Sequence, residues 1–254
     1  MARAPILERI EPDADGPVLD PRRIRKFYFL MAPVLLPLIV GGAGIAVVSL
    51  TESAEGTVLG GILIGLGVLL FIAYCVYETC FIGIFPARCY LKWLRQRIDR
   101  RSDPVVRADD PDAFFVQVIP REKWTVSMGE NAADVGLLRV DEKKQELRYE
   151  GDRERWVVPA ECIRSFRLRS FTPPGGLPAM NEHTVVMLIV ELDDREILET
   201  PLAAHPVHFE YWSPGKRRRG AEVLEDLIGH LVDPERWPAV NPDRLWPLVP
   251  PPVR

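Results

Sequence analysis

The stretch Gly56-Thr-Val-Leu-Gly-Gly-Ile-Leu-Ile-Gly-Leu-Gly-Val-Leu-Leu-Phe-Ile-Ala-Tyr-Cys-Val-Tyr77 contains 22 residues and no charged side chain. An α-helix rises about 1.5 Å per residue, so this stretch is long enough to cross the hydrocarbon core of a bilayer, which is about 30 Å thick. A core helix of a soluble protein is the alternative, but such a helix rarely lacks charge over this length. The stretch therefore predicts a transmembrane span, which we place at about residues 57–80.

Another uncharged stretch, from Phe27 to Thr51, lies N-terminal to this one. It predicts another span at about residues 27–50, because it is also long enough to cross a bilayer. It starts too far into the chain, and is too long, for the apolar region of a cleaved signal peptide. The link Thr51–Thr57 is so short that the two spans should form an antiparallel helical hairpin, here residues 27–87.

The charged residues around the hairpin predict its orientation. The link carries only the acidic residues Glu52 and Glu55. Basic residues lie on both outer flanks: Arg22, Arg23, Arg25 and Lys26 before the first span, and Arg88, Lys92, Arg95, Arg97, Arg100 and Arg101 after the second. Since Lys and Arg in short flanks stay on the cytoplasmic side, both termini are expected in the cytoplasm of a multi-pass inner-membrane protein.

Glycines are expected to let the two helices of the hairpin approach each other closely. The candidates are Gly41, Gly42 and Gly44 in the first span and Gly60, Gly61 and Gly65 in the second. The pair Gly61-x-x-x-Gly65 also matches a pattern of helix dimerisation, so packing within one chain and a homo-oligomer both remain open.

Glu78 is the single charged residue between Gly56 and Ala87. A carboxylate inside a membrane is a candidate functional group. A carboxylate at the headgroups, flanked by Tyr74 and Tyr77, has an interfacial structural role instead. Both interpretations remain open.

The segment after the hairpin predicts an amphipathic helix from Ala87 to Arg101. Its apolar residues recur at steps of three and four, with basic residues between them: Tyr90, Leu91, Leu94 and Ile98. Such a helix lies along, or emerges from, an anionic membrane surface. Ser102–Asp112 is rich in Asp and Pro, which predicts a linker.

Short segments of β-branched and aromatic residues follow and predict strands. They are Phe114–Ile119, Lys123–Met128, Gly136–Val140, Glu146–Tyr149, Arg155–Val158, Ile163–Phe171, Thr184–Leu192 and Glu196–Thr200. A final helix carries an apolar face made by Ala221, Val223, Leu224, Leu227, Ile228 and Leu231. The expected fold class is α+β: a two-helix transmembrane hairpin followed by a small β-barrel or sandwich capped by a C-terminal amphipathic helix.

The central strands resemble a known superfold. Gly136-Leu-Leu-Arg-Val-Asp141, Leu147-Arg-Tyr-Glu-Gly151, Trp156-Val-Val-Pro159 and Ile163-Arg-Ser-Phe166 are similar to the corresponding strands of bacterial PH-like and GRAM-like domains. The resemblance covers about residues 113–233, and such domains also occur attached to two-helix hairpins in bacterial membrane proteins. Lipid-binding members of the superfold use a basic funnel, whereas here Lys143 and Lys144 stand among acidic residues, so headgroup recognition by that loop is not implied.

These predictions divide the chain into five parts. They are a cytoplasmic N-terminal segment (1–26), the transmembrane hairpin (27–87), a basic juxtamembrane helix and linker (88–112), a PH-like β domain with its C-terminal helix (113–235) and a Pro-rich tail (236–254). The tail is an extended recognition segment, a strap that packs through its tryptophans, or a partly disordered segment.

Composition and motifs exclude several classes of function. The 47% hydrophobic content excludes wholesale disorder. Residues 102–254 carry 20 basic and 27 acidic side chains, so no nucleic-acid partner is expected. His205-Pro-Val-His208 is not aligned by a helix, and no Cys-x-x-Cys or catalytic motif occurs, so we expect no metal, no cofactor and no enzymatic activity.

Ten basic residues are candidates for contact with anionic lipid or an acidic partner, with ordinary solvated charge as the alternative. They are Arg88, Lys92, Arg95, Arg164, Arg167, Arg169, Lys216, Arg217, Arg218 and Arg219. The expected function is a non-enzymatic membrane protein that presents a cytoplasmic PH-like domain for protein interaction or membrane-complex assembly. Its partners are the bilayer and a second protein or a second copy of the chain. The alternative is an accessory subunit of a transport or lipid-handling system, in which Glu78 acts directly.

Overall fold

The computed structural model describes residues 4–11, 16–20, 22, 35–51, 53–81, 84–125, 132–174, 182–192, 196–204 and 214–241. They form two compact units. Unit 1 combines Met1–Pro21 with Ala87–Arg254, and unit 2 is Arg22–Pro86. Across these described ranges the chain is α+β, with four α-helices and an eight-stranded antiparallel sheet.

Unit 2 consists of two apolar helices, α1 (Leu35–Leu50) and α2 (Ala54–Phe81). In the described part of the chain one helix is long and apolar enough to cross a membrane, over Ala54–Ala73 with a mean hydropathy of 2.4. The apolar stretch of α1, Leu36–Leu50, is shorter. Residues 27–34 of the predicted first span lie outside the described residues.

The two helices of unit 2 pack antiparallel through glycines. A Cβ atom on Gly60 would lie 2.8 Å from the carbonyl oxygen of Gly44, and one on Gly67 would lie 2.7 Å from the Cα of Gly41. Real Cβ atoms do not approach that closely, so larger residues would push the helices apart. The prediction of a glycine-mediated helix pair is confirmed for Gly41, Gly44 and Gly60.

The remaining predicted glycines face elsewhere, and one contact residue was missed. A Cβ on Gly42, Gly61 or Gly65 would meet no described atom within 4 Å. Gly67, which the sequence analysis did not select, lies in the contact instead. The reason is helical periodicity: residues three or four apart share one face, so Gly60 and Gly67 face α1 while Gly61 and Gly65 do not.

Unit 1 contains an open sheet in the order β1-β5-β4-β3-β2-β8-β7-β6. The strands are β1 (Ile6–Arg9), β2 (Ala113–Val118), β3 (Asp134–Asp141), β4 (Glu146–Gly151), β5 (Glu154–Pro159), β6 (Ile163–Phe171), β7 (His183–Glu191) and β8 (Ile197–Ala204). Strands β2 to β5 form one meander and β6 to β8 another, and pairing of β2 with β8 joins them. Most predicted strands are therefore confirmed to within a few residues.

Two helices complete unit 1. Helix α4 (Pro214–Val232) contacts β6, β7, β8 and β3, and its apolar residues Leu224 and Ile228 join the main core around Trp156. Helix α3 (Ile84–Ile98) is bound through arginines to the turn between β4 and β5. Short 3₁₀ turns lie at Arg121–Lys123 and Ala160–Cys162.

Two predicted elements are wrong where the structure describes them. Lys123–Met128 is not a strand over its described residues 123–125, because a 3₁₀ turn ends there and Trp124 stacks on Phe171 at 4.6 Å. The expected linker Ser102–Asp112 is packed into unit 1, with Val106 and Ala108 almost completely buried. Both segments gain tertiary contacts that local composition does not reveal.

The N-terminal segment also differs from the expectation. Ile6–Arg9 pairs with β5 as an edge strand, and Val18 is fully buried. The segment before the hairpin and the chain after it therefore belong to one folded unit rather than to separate parts.

Candidate functional site

The candidate site is the region of unit 1 where α3, the N-terminal segment and the β4–β5 turn meet. The Arg97 guanidinium of α3 donates hydrogen bonds to the Asp152 carboxylate and to the carbonyl of Gly16. Asp152 also accepts a hydrogen bond from the backbone N–H of Val18 at 2.7 Å. The two charged side chains are only 7% and 3% exposed. This buried ion pair therefore fixes both flanks of unit 2 to the same turn.

A second arginine of the same region binds the same turn. Arg101 donates to the buried carboxylate of Glu150 and, at 2.8 Å, to the carbonyl of Gly151. The other oxygen of Glu150 accepts the backbone N–H of Val105 at 2.7 Å. These bonds hold the chain after α3 against the sheet, which explains why 102–112 is ordered as part of unit 1.

Asp134 organises the β4–β5 turn from inside. Its carboxylate accepts the backbone N–H groups of Val135, Asp152 and Arg153 at 2.9–3.1 Å and the hydroxyl of Tyr149 at 3.1 Å. Burial, together with the nearby carboxylates of Asp152 and Glu154, raises the pKa of Asp134 to about 7. The carboxylates of Asp152 and Glu154 thus affect the ionisation of Asp134, and Arg97 is the counter-ion of Asp152.

The exposed side of α3 is basic. Arg88, Lys92 and Gln96 are exposed at spacings of four residues, and Trp93 beside them is partly exposed. The opposite side carries the four apolar residues that predicted the helix, Tyr90, Leu91, Leu94 and Ile98, all buried. The predicted amphipathic helix is confirmed, but its apolar side is buried in protein and is not available to a lipid surface.

Arg95 belongs to a different environment from Arg88 and Lys92. Its guanidinium is half-buried, and burial lowers its pKa while Asp99 and Asp109 oppose that change. The structure therefore separates the three predicted contact residues of α3 into an exposed pair and one that interacts with neighbouring acids.

The other predicted basic residues do not form one patch. On β6, Arg164 pairs with Glu191, whereas Arg167 and Arg169 are exposed on one face of the strand. Near the start of α4, Arg218 pairs with Glu222. Lys216 and Arg219 differ in exposure: Lys216 is partly buried and Arg219 is exposed.

Arg217 lies close enough to His183, a residue outside the predicted candidates, for its charge to affect the pKa of that imidazole. Burial, and to a lesser degree the charge of Arg217, lowers the pKa of His183 to about 4. Its ring stacks on Phe171 at 5.3 Å. Sequence periodicity does not indicate that His183 and Arg217 are neighbours, because His183 begins β7 and Arg217 lies in α4, far apart in the sequence.

Several remaining candidates are located as follows. Lys143 and Lys144 line an open cleft of about 840 Å³ together with Glu146 and Glu161, so the charges of that loop are balanced. Glu78 lies in α2, but its side chain is outside the described residues, as are His205 and His208. The start of the tail packs on unit 1 through Trp237, 5.5 Å from Phe166. Within the described ranges no three His, Cys, Asp or Glu side chains are grouped to hold a metal ion.

Comparison of the chain with family models, with curated proteins and with solved structures found no match.

Proposed function

We propose that this chain is an integral membrane protein whose two helices form a transmembrane hairpin, with both flanks on the cytoplasmic face. There it presents a PH-like domain for protein interaction or for assembly of a membrane complex. The single observation that carries this proposal is the pairing of β1 with β5, which places the residues before and after unit 2 in one sheet.

The pairing constrains how often the chain crosses a membrane. If α2 alone crossed, Met1–Pro21 and Ala87–Arg254 would lie on opposite sides and could not share a sheet or the Arg97–Asp152 ion pair. An even number of crossings satisfies both. Helix α1 is the segment available for the second crossing, and the uncharged residues 27–34 precede it in the sequence. The basic flanks favour the cytoplasm for the shared unit.

The strand order supports the PH-like part of the proposal. Two meanders, β2–β5 and β6–β8, are joined by the β2–β8 pair and followed by a helix that packs on the core. A series of antiparallel strands followed by one helix is what the resemblance to PH-like domains implies, although the strands form one open sheet and not the expected barrel or sandwich, and β1 is an additional strand. A direct role in transport or lipid handling has no comparable support, because it depends on Glu78.

Membrane topology is tested by fusions and by cross-linking. We expect green fluorescent protein to fluoresce at both termini and alkaline phosphatase to be active only when inserted at Ser53. Phosphatase activity at Arg254 would overturn the proposed orientation.

A disulfide tests the shared sheet in the membrane itself. Ile6 and Val157 are paired residues on neighbouring strands, within the Cα separation that a disulfide tolerates. In a chain with Cys75, Cys80, Cys89 and Cys162 replaced by Ser, the I6C/V157C variant should cross-link on mild oxidation of membranes. The matched I6C/R148C variant should not, because Arg148 lies one strand further away, about 10 Å. Equal cross-linking, or none in either variant, would contradict the topology.

The interaction role is tested by photo-crosslinking in intact membranes. A photoreactive residue at exposed Arg167 on β6 should give discrete protein adducts, and one at Ile62, on the exposed side of α2, should give lipid adducts. Absence of protein adducts from Arg167, Arg219 and Glu222 alike would argue against a partner for unit 1.

A further inference from the structure

The exposed side of α3 carries basic residues. We define the basic face of α3 as Arg88 and Lys92, with Gln96 one turn further along and Trp93 at its rim. Arg88 and Lys92 are exposed, and they are four residues apart, so their side chains project from the same side of the helix. Tyr90, Leu94 and Ile98 lie on the opposite side and are buried.

The contacts of α3 prevent it from rotating to bury its apolar side in lipid. Arg97 is bound to Asp152, and Arg101, just after the helix, is bound to Glu150. Leu94 and Ile98 are completely buried within the protein. A surface that approaches α3 from outside unit 1 therefore meets the basic face first.

Along the sequence, the basic face follows shortly after the apolar helix α2. Gly56 to Ala87 contains one charged residue, Glu78, so Arg88 is the first cationic residue after that stretch. Phe81 and Ile84 are three positions apart in the sequence, and Ile84 and Arg88 are four positions apart within α3. The chain between Phe81 and Arg88 therefore spans at most about 17 Å. Trp and basic residues in this position are typical of the layer of lipid headgroups.

We propose that the basic face of α3 binds anionic phospholipid headgroups and so holds unit 1 at the membrane surface. The occupant follows from charge complementarity and from the short chain that connects the face to α2. This inference rests on the proposed function, because it requires that α2 cross the membrane. The sequence predicts an amphipathic helix at an anionic surface; the proposal retains the electrostatic contact, while the apolar side of the helix is buried in protein.

The test uses the full chain in nanodiscs of mixed phosphatidylcholine and phosphatidylglycerol. Lipids retained after gentle detergent extraction are quantified by mass spectrometry. Wild type should be enriched in phosphatidylglycerol, and the R88Q/K92Q variant should lose that enrichment by about tenfold or more. Raising the salt concentration should lower the enrichment of wild type toward that of the variant.

The matched control is R167Q/R169Q, which removes the same charge from exposed positions of β6 in the same unit. It should retain the enrichment, as should the charge-preserving R88K/K92R variant. An equal loss in R167Q/R169Q would show an effect of net charge and overturn the inference, and so would unchanged enrichment in R88Q/K92Q.

The two proposals fail in different ways. If alkaline carbonate extracts wild type from membranes, the proposed integral membrane protein is wrong. If the protein stays in the membrane while R88Q/K92Q keeps its lipid preference, only the basic face is assigned wrongly. In that case an acidic protein partner becomes the occupant to test.

Discussion

Replacing Arg97 by Met should destabilise unit 1 far more than an ordinary loss of a charged side chain. Met keeps the unbranched aliphatic chain and removes the guanidinium. Asp152 would then stay buried beside Asp134, with the backbone N–H of Val18 as its remaining partner among the contacts described above. Gly16 would also lose its donor.

The size of the effect follows from burial. Both side chains of the pair are less than a tenth exposed, so breaking the pair leaves an uncompensated buried charge. Such losses cost about 3–5 kcal/mol, whereas an exposed helical pair contributes about 0.3–0.5 kcal/mol. The exposed pair Arg218–Glu222 is the matched control, so R218M should cost less than about 1 kcal/mol.

The chain offers a probe that reports on unit 1 alone. All six tryptophans, at positions 93, 124, 156, 212, 237 and 246, lie outside unit 2. Tryptophan fluorescence during urea unfolding of the detergent-solubilised full chain therefore gives the free energy of unfolding of unit 1. The double variant R97M/D152N should recover most of the loss, because Asn keeps an oxygen for Val18 without a buried charge.

Two results would refute this reasoning. One is a loss below about 1 kcal/mol in R97M, since that would mean the pair is solvated. The other is a double variant as unstable as R97M, which would mean that the buried charge of Asp152 is not the cause.

Four further predictions concern other parts of the molecule. G60L should lower the temperature at which detergent-solubilised monomer is lost, because its side chain meets the Gly44 backbone, while G61L should not. The contribution of His183 to stability, taken as wild type minus H183Q in pH-dependent unfolding, should fall by up to about 3 kcal/mol as the pH drops from 6.5 toward 4, because unfolded His183 binds a proton that the folded form resists. Asp134 should give the opposite slope, since its folded pKa is raised: its contribution is present below pH 4 and lost as the pH rises toward 7, and D134N should abolish it in the same assay. Q145G should raise stability by about 1 kcal/mol in urea unfolding, because Gln145 has a φ of 54° that glycine adopts without strain.

Strong periodic patterns allowed much of the fold to be predicted. Ile163–Phe171 alternates in composition and is a strand with those bounds, and the apolar positions of Ala221–Leu231 lie in the core as expected. Strand β1 has only four residues, and all of them are exposed. Its sequence therefore shows no alternation of apolar and polar residues that would predict a strand. The sequence also did not predict that the apolar side of α3 is buried in protein. An amphipathic pattern is the same whether the helix packs on lipid or on a sheet.

The candidate site was less predictable than the fold because it depends on pairs distant in sequence. Arg97 and Asp152 are 55 residues apart, and neither stands out in its local segment. The sequence did indicate the exposed basic residues Arg88 and Lys92, since charge and helical spacing are local properties. It did not indicate that Arg95 interacts with acids or that Arg217 faces His183.

Unit 1 is built from the chain segments before and after unit 2, so it cannot fold completely until the second segment has been synthesised. Strand β1 is synthesised first, yet its partner β5 begins at Glu154, after the whole hairpin and three further strands. Residues 4–20 therefore cannot be fixed until the chain past the hairpin has folded, and the closing loop contains both membrane-spanning candidates. In the proposed membrane protein, the pairing of β1 and the Arg97–Asp152 bond would then form late, after insertion of α1 and α2. Because that closure requires both flanks on one side, a chain inserted with the wrong number of crossings could not complete the sheet, and its β5 edge would remain unpaired.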